Sequence, residues 1–440
     1  MAFKVLVLGG GGREHALVWK LRQSPRVTEI ICAPGNGGIA HAEGVSCVPA
    51  DLKDAGALVA LATKLQADVT VVGPELPLTV GVVDEFNRRG LRIFGPTQAA
   101  SRLESSKAFA KEFMQRHKIP TAHFAVCKSP AEIKSALGHF HPPIVVKADG
   151  LAAGKGVVIA DTKEEAATVA AFMLSGKMLG PAGTQVIFEE YLRGEELSFL
   201  VISDGERVAP LVAAQDHKRI GEGDIGANTG GMGAYSTAEL LDDTMQEWLI
   251  THIVNPVIDG MRAEGSEYRG VLYCGLMLTA RGPMVLEFNC RFGDPETQPI
   301  LMRLESDLLD AVEASIDGRV SAGNFKWLRD AAVCVVIASG GYPGSFEAGK
   351  PMSGLDEADA VEGAKVFHAG TSFQDGVYYT SGGRVLGVTA RGADVSQAVE
   401  RAYAAAGKIK FGDMYYRKDI AARALTSVPR SSFLVSRNRS

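Results

Sequence analysis

Lys147 stands at the end of an apolar run, Pro142-Pro143-Ile144-Val145-Val146, and is followed by a loop with glycines at 150, 154 and 156. An ammonium in such a run needs an anionic partner or a route to water. Glycines let backbone approach a ligand and turn N–H groups toward phosphate oxygens. Together these features point to a nucleoside triphosphate held between a strand lysine and a glycine flap, or more plainly to a surface hairpin with a snorkelling lysine. A second group is Glu287, Asn289 and Arg291. Residues two apart on a strand share a face, so a carboxylate and an amide oxygen meet there as hard donors for Mg²⁺, beside a guanidinium for oxyanions. A structural Glu–Arg pair is the simpler account, but it leaves Asn289 without a reason. A third group, Asp216, His217, Lys218 and Arg219, opens a polar stretch that runs to Gly233. The stretch reads as a long loop without secondary structure, suited to ionic substrate groups or to solvent. His217 reads as a hydrogen-bonding residue and not as a base.

The elements that must position these groups begin with a buried strand from Phe3 to Leu8, a Gly9-Gly10-Gly11-Gly12-Arg13 turn and a helix to about Gln23. A helix N-terminus after a glycine turn favours anions. The dinucleotide fingerprint fails, because Glu14 or His15 falls where the third glycine belongs. The next strand, Glu29 to Ala33, ends in Pro34-Gly35-Asn36-Gly37-Gly38 with no acid for a ribose, which argues against NAD. A strand at 68–72, a helix at 78–89 and a strand at 91–94 complete an alternation that predicts a parallel sheet, with its crevice beyond the carboxyl strand ends. Three loops meet there, at Gly9–Gly12, Pro34–Gly38 and Gly73-Pro74-Glu75. They are either tight turns or a cradle for a small phosphorylated ligand.

Next come a helix at 105–116 and a compact block at 121–192, whose last strand (185–190) ends in Glu189 and Glu190 and turns at Gly194. Such a hinge offers backbone to an adenine edge and a downstream acid to a ribose, unless its acids are merely solvated. One long helix, Leu240 to Arg262, leads to strands 270–279 and 284–288. Beyond Leu328 the pattern is a strand at 331–338, short strands and a helix at 396–408, followed after about Leu425 by a basic tail expected to be disordered.

A chain of 440 residues suggests about three domains. A net charge of −5 without a basic stripe argues against a nucleic-acid protein. The cysteines at 32, 47, 127, 274, 290 and 334 are scattered singly, as buried free thiols would be. No apolar run reaches membrane length. The expectation is a soluble, cytoplasmic protein with neither nucleic-acid nor membrane partner.

With these pieces in order the chain resembles the ATP-grasp enzymes, and more narrowly the phosphoribosylamine–glycine ligase (glycinamide ribonucleotide synthetase) family. The motifs are V-L-G-G-G-G-R-E-H-A, A-P-G-N-G-G, V-G-P-E-L-P-L, V-V-K-A-D-G-L-A-A-G-K-G-V, E-E-Y-L-R-G-E-E, Q-D-H-K-R, N-T-G-G-M-G-A-Y and L-E-F-N-C-R-F-G-D-P-E-T-Q. The resemblance implies an α/β fold. An N-terminal Rossmann-like parallel sheet domain (1–103) would precede a central two-lobed ATP-grasp unit (104–328, mobile lobe about 121–192) and a small mixed α+β C-terminal domain (329–425), with a tail at 426–440. It implies that Lys107 and Lys147 meet ATP phosphates under a flap containing Gly154 and Lys155. Glu189 and the backbone from Glu190 to Leu192 would take the adenine, Glu196 the ribose, and Glu287 and Asn289 a Mg²⁺ or Mn²⁺ ion. Gly11, Gly12, Arg13, Asn36, Gly37, Glu75, Asp216, Lys218, Arg291 and Asp294 would bind glycine and 5-phosphoribosylamine, with Lys147, Arg291 and Asp216 as the catalytic set. The implied reaction joins the two substrates through glycyl phosphate, in a monomer or weak homodimer. One departure from the wider superfamily is that strand Tyr273–Met277 offers no further carboxylate, which places more of the metal's coordination on Glu287 and the phosphates. Another ATP-grasp carboxylate–amine ligase or carboxylase of purine metabolism is the alternative enzyme, and a nucleotide-binding protein without turnover the alternative class.

Overall fold

The computed structural model describes residues 2–150, 156–176 and 185–426. The N-terminal sheet is parallel and five-stranded, in the order Val45–Cys47, Val27–Pro34, Phe3–Gly9, Val69–Val72, Ile93–Phe94. Its central strand is buried at every residue but Lys4, as a parallel sheet covered on both faces requires. The carboxyl ends at Gly9, Pro34 and Val72 lie side by side and bring the three expected loops to one edge.

The helix expected over 78–89 is two helices, Glu75–Thr79 and Val82–Arg88. Gly81, at φ +80°, breaks them in a conformation that side chains resist. The helix expected over 105–116 is likewise divided, into Arg102–Ser105 and Lys107–Arg116. Ser106 caps the second by accepting the Phe109 N–H at 3.1 Å.

Two sheets form the central unit. An antiparallel sheet runs Phe124–Cys127, Val186–Glu190, Ile144–Ala148, Val157–Ala160. It shares a core (Ile133, Phe140, Ile144, Val146, Met173, Phe188) with helices Pro130–Leu137 and Lys163–Leu174. The other sheet runs Val208–Pro210, Glu195–Asp204, Arg269–Thr279, Gly282–Asn289, and its two long strands pair along their whole length.

A six-stranded sheet includes Gln215–Asp216, Gly233–Ser236, the fully buried Ala331–Ser339, Arg384–Gly392 and Ala364–His368. It joins residues before 328 to residues after it, so the expected domain boundary cuts across a hydrogen-bonded sheet. The long loop expected over 215–233 therefore carries strands, including the hairpin Arg219–Gly221 with Ile225–Asn228. Strands this short show no periodicity in sequence. The single helix expected over 240–262 is instead a short turn at Ala238–Leu240, a helix Asp243–Leu249 capped by Asp242, a wide π-type turn Ile250–Val254 and a helix Asn255–Ala263. Pro256 lacks the N–H a regular helix would use, and the Asn255 N–H bonds five residues back to the Ile250 carbonyl. The short last helix, Ala422–Thr426, reaches the first residue of the expected tail, and 427–440 lie outside the described residues. All six cysteines are free, and all but Cys47 are buried. Among the described residues, no helix is long and apolar enough to cross a membrane.

Candidate active site

A cleft of about 1600 Å³ opens between the two central sheets and extends to the edge of the N-terminal sheet and to Arg384. At its nucleotide-lobe end, strands Ile144–Ala148 and Val186–Glu190 pair with Val145 opposite Glu189, which puts Lys147 and Glu189 on one face. The buried Glu189 carboxylate is gripped from both sides, by Lys147 Nζ and by Lys111 Nζ, each at 2.9 Å. Burial would raise its pKa, but the two ammonium groups hold it below the usual carboxylate value. Lys147 Nζ also donates to the Leu286 carbonyl at 3.3 Å. Burial draws Lys111 down to about 8 against the pull of Glu189. Lys107 Nζ donates to the Gly150 carbonyl at 2.7 Å. Asp149 pins the start of the glycine loop by accepting from the Ala108 N–H (3.1 Å), the Ser106 hydroxyl (3.1 Å) and the Gln185 amide (2.6 Å). Gly154 and Lys155 lie outside the described residues. The adenine is expected on Glu189 and the 190–192 backbone, and these residues line the cleft. The Glu189 carboxylate is paired with two lysines and that of Glu190 with Arg281 at 2.5 Å.

Glu287 and Asn289 stand on the facing wall. Burial would raise the Glu287 pKa, yet Lys218, Lys147 and Lys107 bring it down to about 2. Lys218 bridges Glu287 (3.5 Å) and Glu196 (3.2 Å), and Asn289 Oδ1 accepts from Arg291 Nη2 at 3.3 Å. No cluster of three or more His, Cys, Asp or Glu side chains that could hold a metal occurs among the described residues. An ionised carboxylate beside an amide oxygen still fits a hard divalent cation, provided phosphate and water complete its shell. Arg291 pairs with Glu104 (3.0 Å) and Glu75 (3.3 Å), and these carboxylates raise its pKa despite burial. The buried Asp216 is pushed well up by desolvation and by Glu296, with Lys218 opposing.

At the N-terminal edge Glu14 folds back to accept from the Gly11 N–H (2.6 Å) and from Arg13 Nε (2.6 Å). Its carboxylate fills the crevice against Gly73, where a Cβ would overlap it. A carboxylate thus occupies the place where a dinucleotide fold would seat pyrophosphate. Arg13, Glu75 and Asp294 line the cleft, but Gly11, Gly12, Asn36 and Gly37 do not. Asn36 and Gly37, expected in a ligand cradle, clip this loop to the segment 368–371. The Asn36 amide donates to the carbonyls of Gly10 (2.9 Å) and His368 (2.8 Å) and accepts from the Gly38 and Ile39 N–H groups, while the Gly37 N–H donates to the Thr371 carbonyl (3.0 Å).

Models of the phosphoribosylglycinamide synthetase N domain, ATP-grasp (A) domain and C domain match residues 3–104, 105–297 and 332–423 in that order. The chain belongs to the phosphoribosylglycinamide synthetase family. It is 50% identical over 426 residues to phosphoribosylamine–glycine ligase of Vibrio parahaemolyticus, covering 96% of this chain and 98% of that one. It is also 50% identical to that of Salmonella typhi over 427 residues, covering 96% and 99%. The crystal structure of phosphoribosylamine–glycine ligase from Thermotoga maritima superposes with a TM-score of 0.82 at 35% identity, covering 94% of this chain and 99% of that one. A biotin carboxylase from Campylobacter jejuni shares the fold alone, with a TM-score of 0.74 at 16% identity.

In this member of the family several cleft residues escaped the reading of the sequence. Arg384 donates to Asp294 Oδ2 (3.0 Å) and to the carbonyls of Asp294 (2.8 Å) and Gly230 (2.6 Å), bringing the C-terminal domain to the cleft. Glu296 accepts from the hydroxyls of Ser198 (3.0 Å) and Tyr273 (2.6 Å). The T-S-G-G-R and D-P-E-T-Q runs were the available signals for Arg384 and Glu296. Lys111 and Glu104 had none, since each sits on a helix with no motif around it.

Proposed function

We infer that the protein is an ATP-dependent ligase that joins glycine to 5-phosphoribosylamine, giving glycinamide ribonucleotide, ADP and phosphate in purine biosynthesis. The observation that carries the reading is one cleft in which Lys107, Lys147 and Lys218 surround Glu287 at the nucleotide end, while Arg13, Arg291 and Arg384 converge at the other. Near full-length identity to enzymes of that name supports it. The glycine carboxylate attacks the γ-phosphorus of ATP and ADP leaves. The amine of phosphoribosylamine then attacks the carbonyl carbon of glycyl phosphate, expels phosphate and loses a proton. Lys147 and Lys107 neutralise phosphate oxygens, the 190–192 backbone meets the adenine edge and Glu196 the ribose. Arg291, fixed between Glu75 and Glu104, faces the reacting oxyanions, while Arg13, Asp216, Lys218 and Asp294 hold the substrates. The work is positioning and charge neutralisation. Glu287 and Asn289 would hold Mg²⁺ or Mn²⁺, which supplies further neutralisation of phosphoryl charge. We read 1–103, 104–328 and 329–425 as the domains, the last two sharing one hydrogen-bonded sheet, with the 121–192 lobe closing to keep water from the acyl phosphate. The protein works in the cytoplasm as a monomer or weak homodimer, without nucleic-acid or membrane partners.

The test is ADP release with glycine and freshly generated phosphoribosylamine, each omitted in turn. Release that requires both supports the ligase. Release that needs bicarbonate and ignores glycine replaces it with a carboxylase.

A further inference from the structure

We propose that Lys111 is a positioning residue for the nucleotide site, one that leaves Lys147 free to face ATP by sharing the carboxylate of Glu189. The proposal rests on the ligase reading above and adds a residue that does not itself bind phosphate. Glu189 is 2% exposed, and its two oxygens are divided between the lysines, Oε1 to Lys147 and Oε2 to Lys111. One lysine facing one buried carboxylate makes a neutral pair. Two lysines facing it leave one net positive charge. Lys111 Nζ is committed on its other side to Thr121 Oγ1 (2.7 Å), whose hydroxyl donates to the Val285 carbonyl (2.6 Å). The surplus charge is therefore available at Lys147, at the strand end beside the glycine loop. Without Lys111, Glu189 would claim both the charge and the orientation of Lys147, and a triphosphate would have to compete with a buried carboxylate.

The same geometry ties three elements together. Lys111 projects from helix Lys107–Arg116 to the strand that leaves the nucleotide lobe, at Glu189, and to the segment that enters it, at Thr121. The charged groups facing Lys111 are Glu189 and Lys147 on the lobe and Glu287 on the opposite wall, with burial drawing its pKa to about 8. The surplus charge is present below that pH and is lost above it.

The experiment measures kcat and the KM values for ATP and glycine from about pH 7 to pH 9, on either side of the Lys111 value. The proteins are wild type, Lys111→Met, Lys111→Arg and Lys111→Met/Glu189→Gln. Lys111→Met should raise KM for ATP about tenfold or more while KM for glycine moves less than about twofold. Lys111→Arg should restore it. The double variant should also recover, because removing the carboxylate charge frees Lys147 again. KM for ATP should climb through about pH 8 in wild type, where Lys111 titrates, and be flat in Lys111→Met. A purely structural Lys111 predicts the opposite for the double variant, which would then be worse than the single one. That result, an unchanged KM for ATP in Lys111→Met, or a pH rise that persists without Lys111 overturns the proposal. Should Lys111→Met not fold, the Lys111→Arg and wild-type pH profiles decide it. Should wild type show no glycine-dependent ADP release, the ligase reading falls. Calorimetric binding of a non-hydrolysable ATP analogue to the same variants then still tests Lys111.

Discussion

Lys147 and Glu287 face each other across the cleft with opposite charge and opposite tasks. Lys147→Ala leaves Glu189 paired with Lys111, so the buried carboxylate keeps a partner and the lobe should fold. Glycine-dependent ADP release should fall at least about 100-fold, the scale of losing one preorganised charge at a transferring phosphoryl group. Near-normal turnover in a steady-state ADP assay would remove Lys147 from the phosphate site. Lys218, Lys147 and Lys107 hold Glu287 down at about 2, so it is ionised at neutral pH. Glu287→Ala should shift the divalent-metal titration of activity to about tenfold higher concentration or more. The wild-type titration should show no inflection from this group above about pH 4. An unchanged midpoint would mean that the phosphates hold the metal alone. These residues were legible because each interrupts an apolar pattern. Glu104 and Lys111 were not, because their meaning comes from partners far along the chain, Cys290 and Arg291 for one and Glu189 for the other.

At the scale of elements, apolar strands and glycine turns could be read because their cause is local. The central strand Phe3–Gly9, the lysine strand Ile144–Ala148 and the strand Gly282–Asn289 lie where pattern and turn residues put them. The segment 215–236 could not be read, since strands of two to four residues are held only by the sheet that receives them. The crevice after Phe3–Gly9 shows how one side chain dictates its neighbours. Glu14 turns back into it, and Gly73 has no room for a methyl group beside that carboxylate. Gly73→Ala should lower stability by about 1–3 kcal/mol, the usual range for overpacking, and should displace Glu14 from the Gly11 N–H. Adding Glu14→Ala should return part of that loss, a coupling that a double-mutant cycle of thermal midpoints detects. If the two losses simply add, Gly73 answers to something other than Glu14.

Across the whole molecule, the first and last domains are joined by a dock that no single segment announces. Asn36 clips the N-terminal loop to His368, and the His15 and His368 rings lie 5.6 Å apart beside Phe367, Tyr378 and His41. His15 Nδ1 accepts the His368 N–H at 2.8 Å, which requires an unprotonated Nδ1, because an imidazolium would set donor against donor. Burial, with Lys365 and His41 adding to it, lowers His368 to about 4, and burial with His368 and Lys365 lowers His15 well below its ordinary value. A histidine whose folded pKa is depressed stabilises the fold fully above its unfolded value of about 6.5, and that contribution is lost as the pH falls toward the folded pKa. Between pH 7 and pH 5, His368 alone should therefore forfeit about 2 kcal/mol. His217, lowered to about 4 by burial and Arg417, works in the same direction. Asp216 and Glu104, whose pKa values are raised by burial, pull the other way. The informative quantity is thus the difference between wild type and His368→Asn, in which one histidine's share is gone and the carboxylates are unchanged. Calorimetric melts across that range should show the variant losing less stability than wild type on acidification. Equal losses would mean that His368 carries no share of the acid sensitivity, which would then belong to other depressed histidines such as His217.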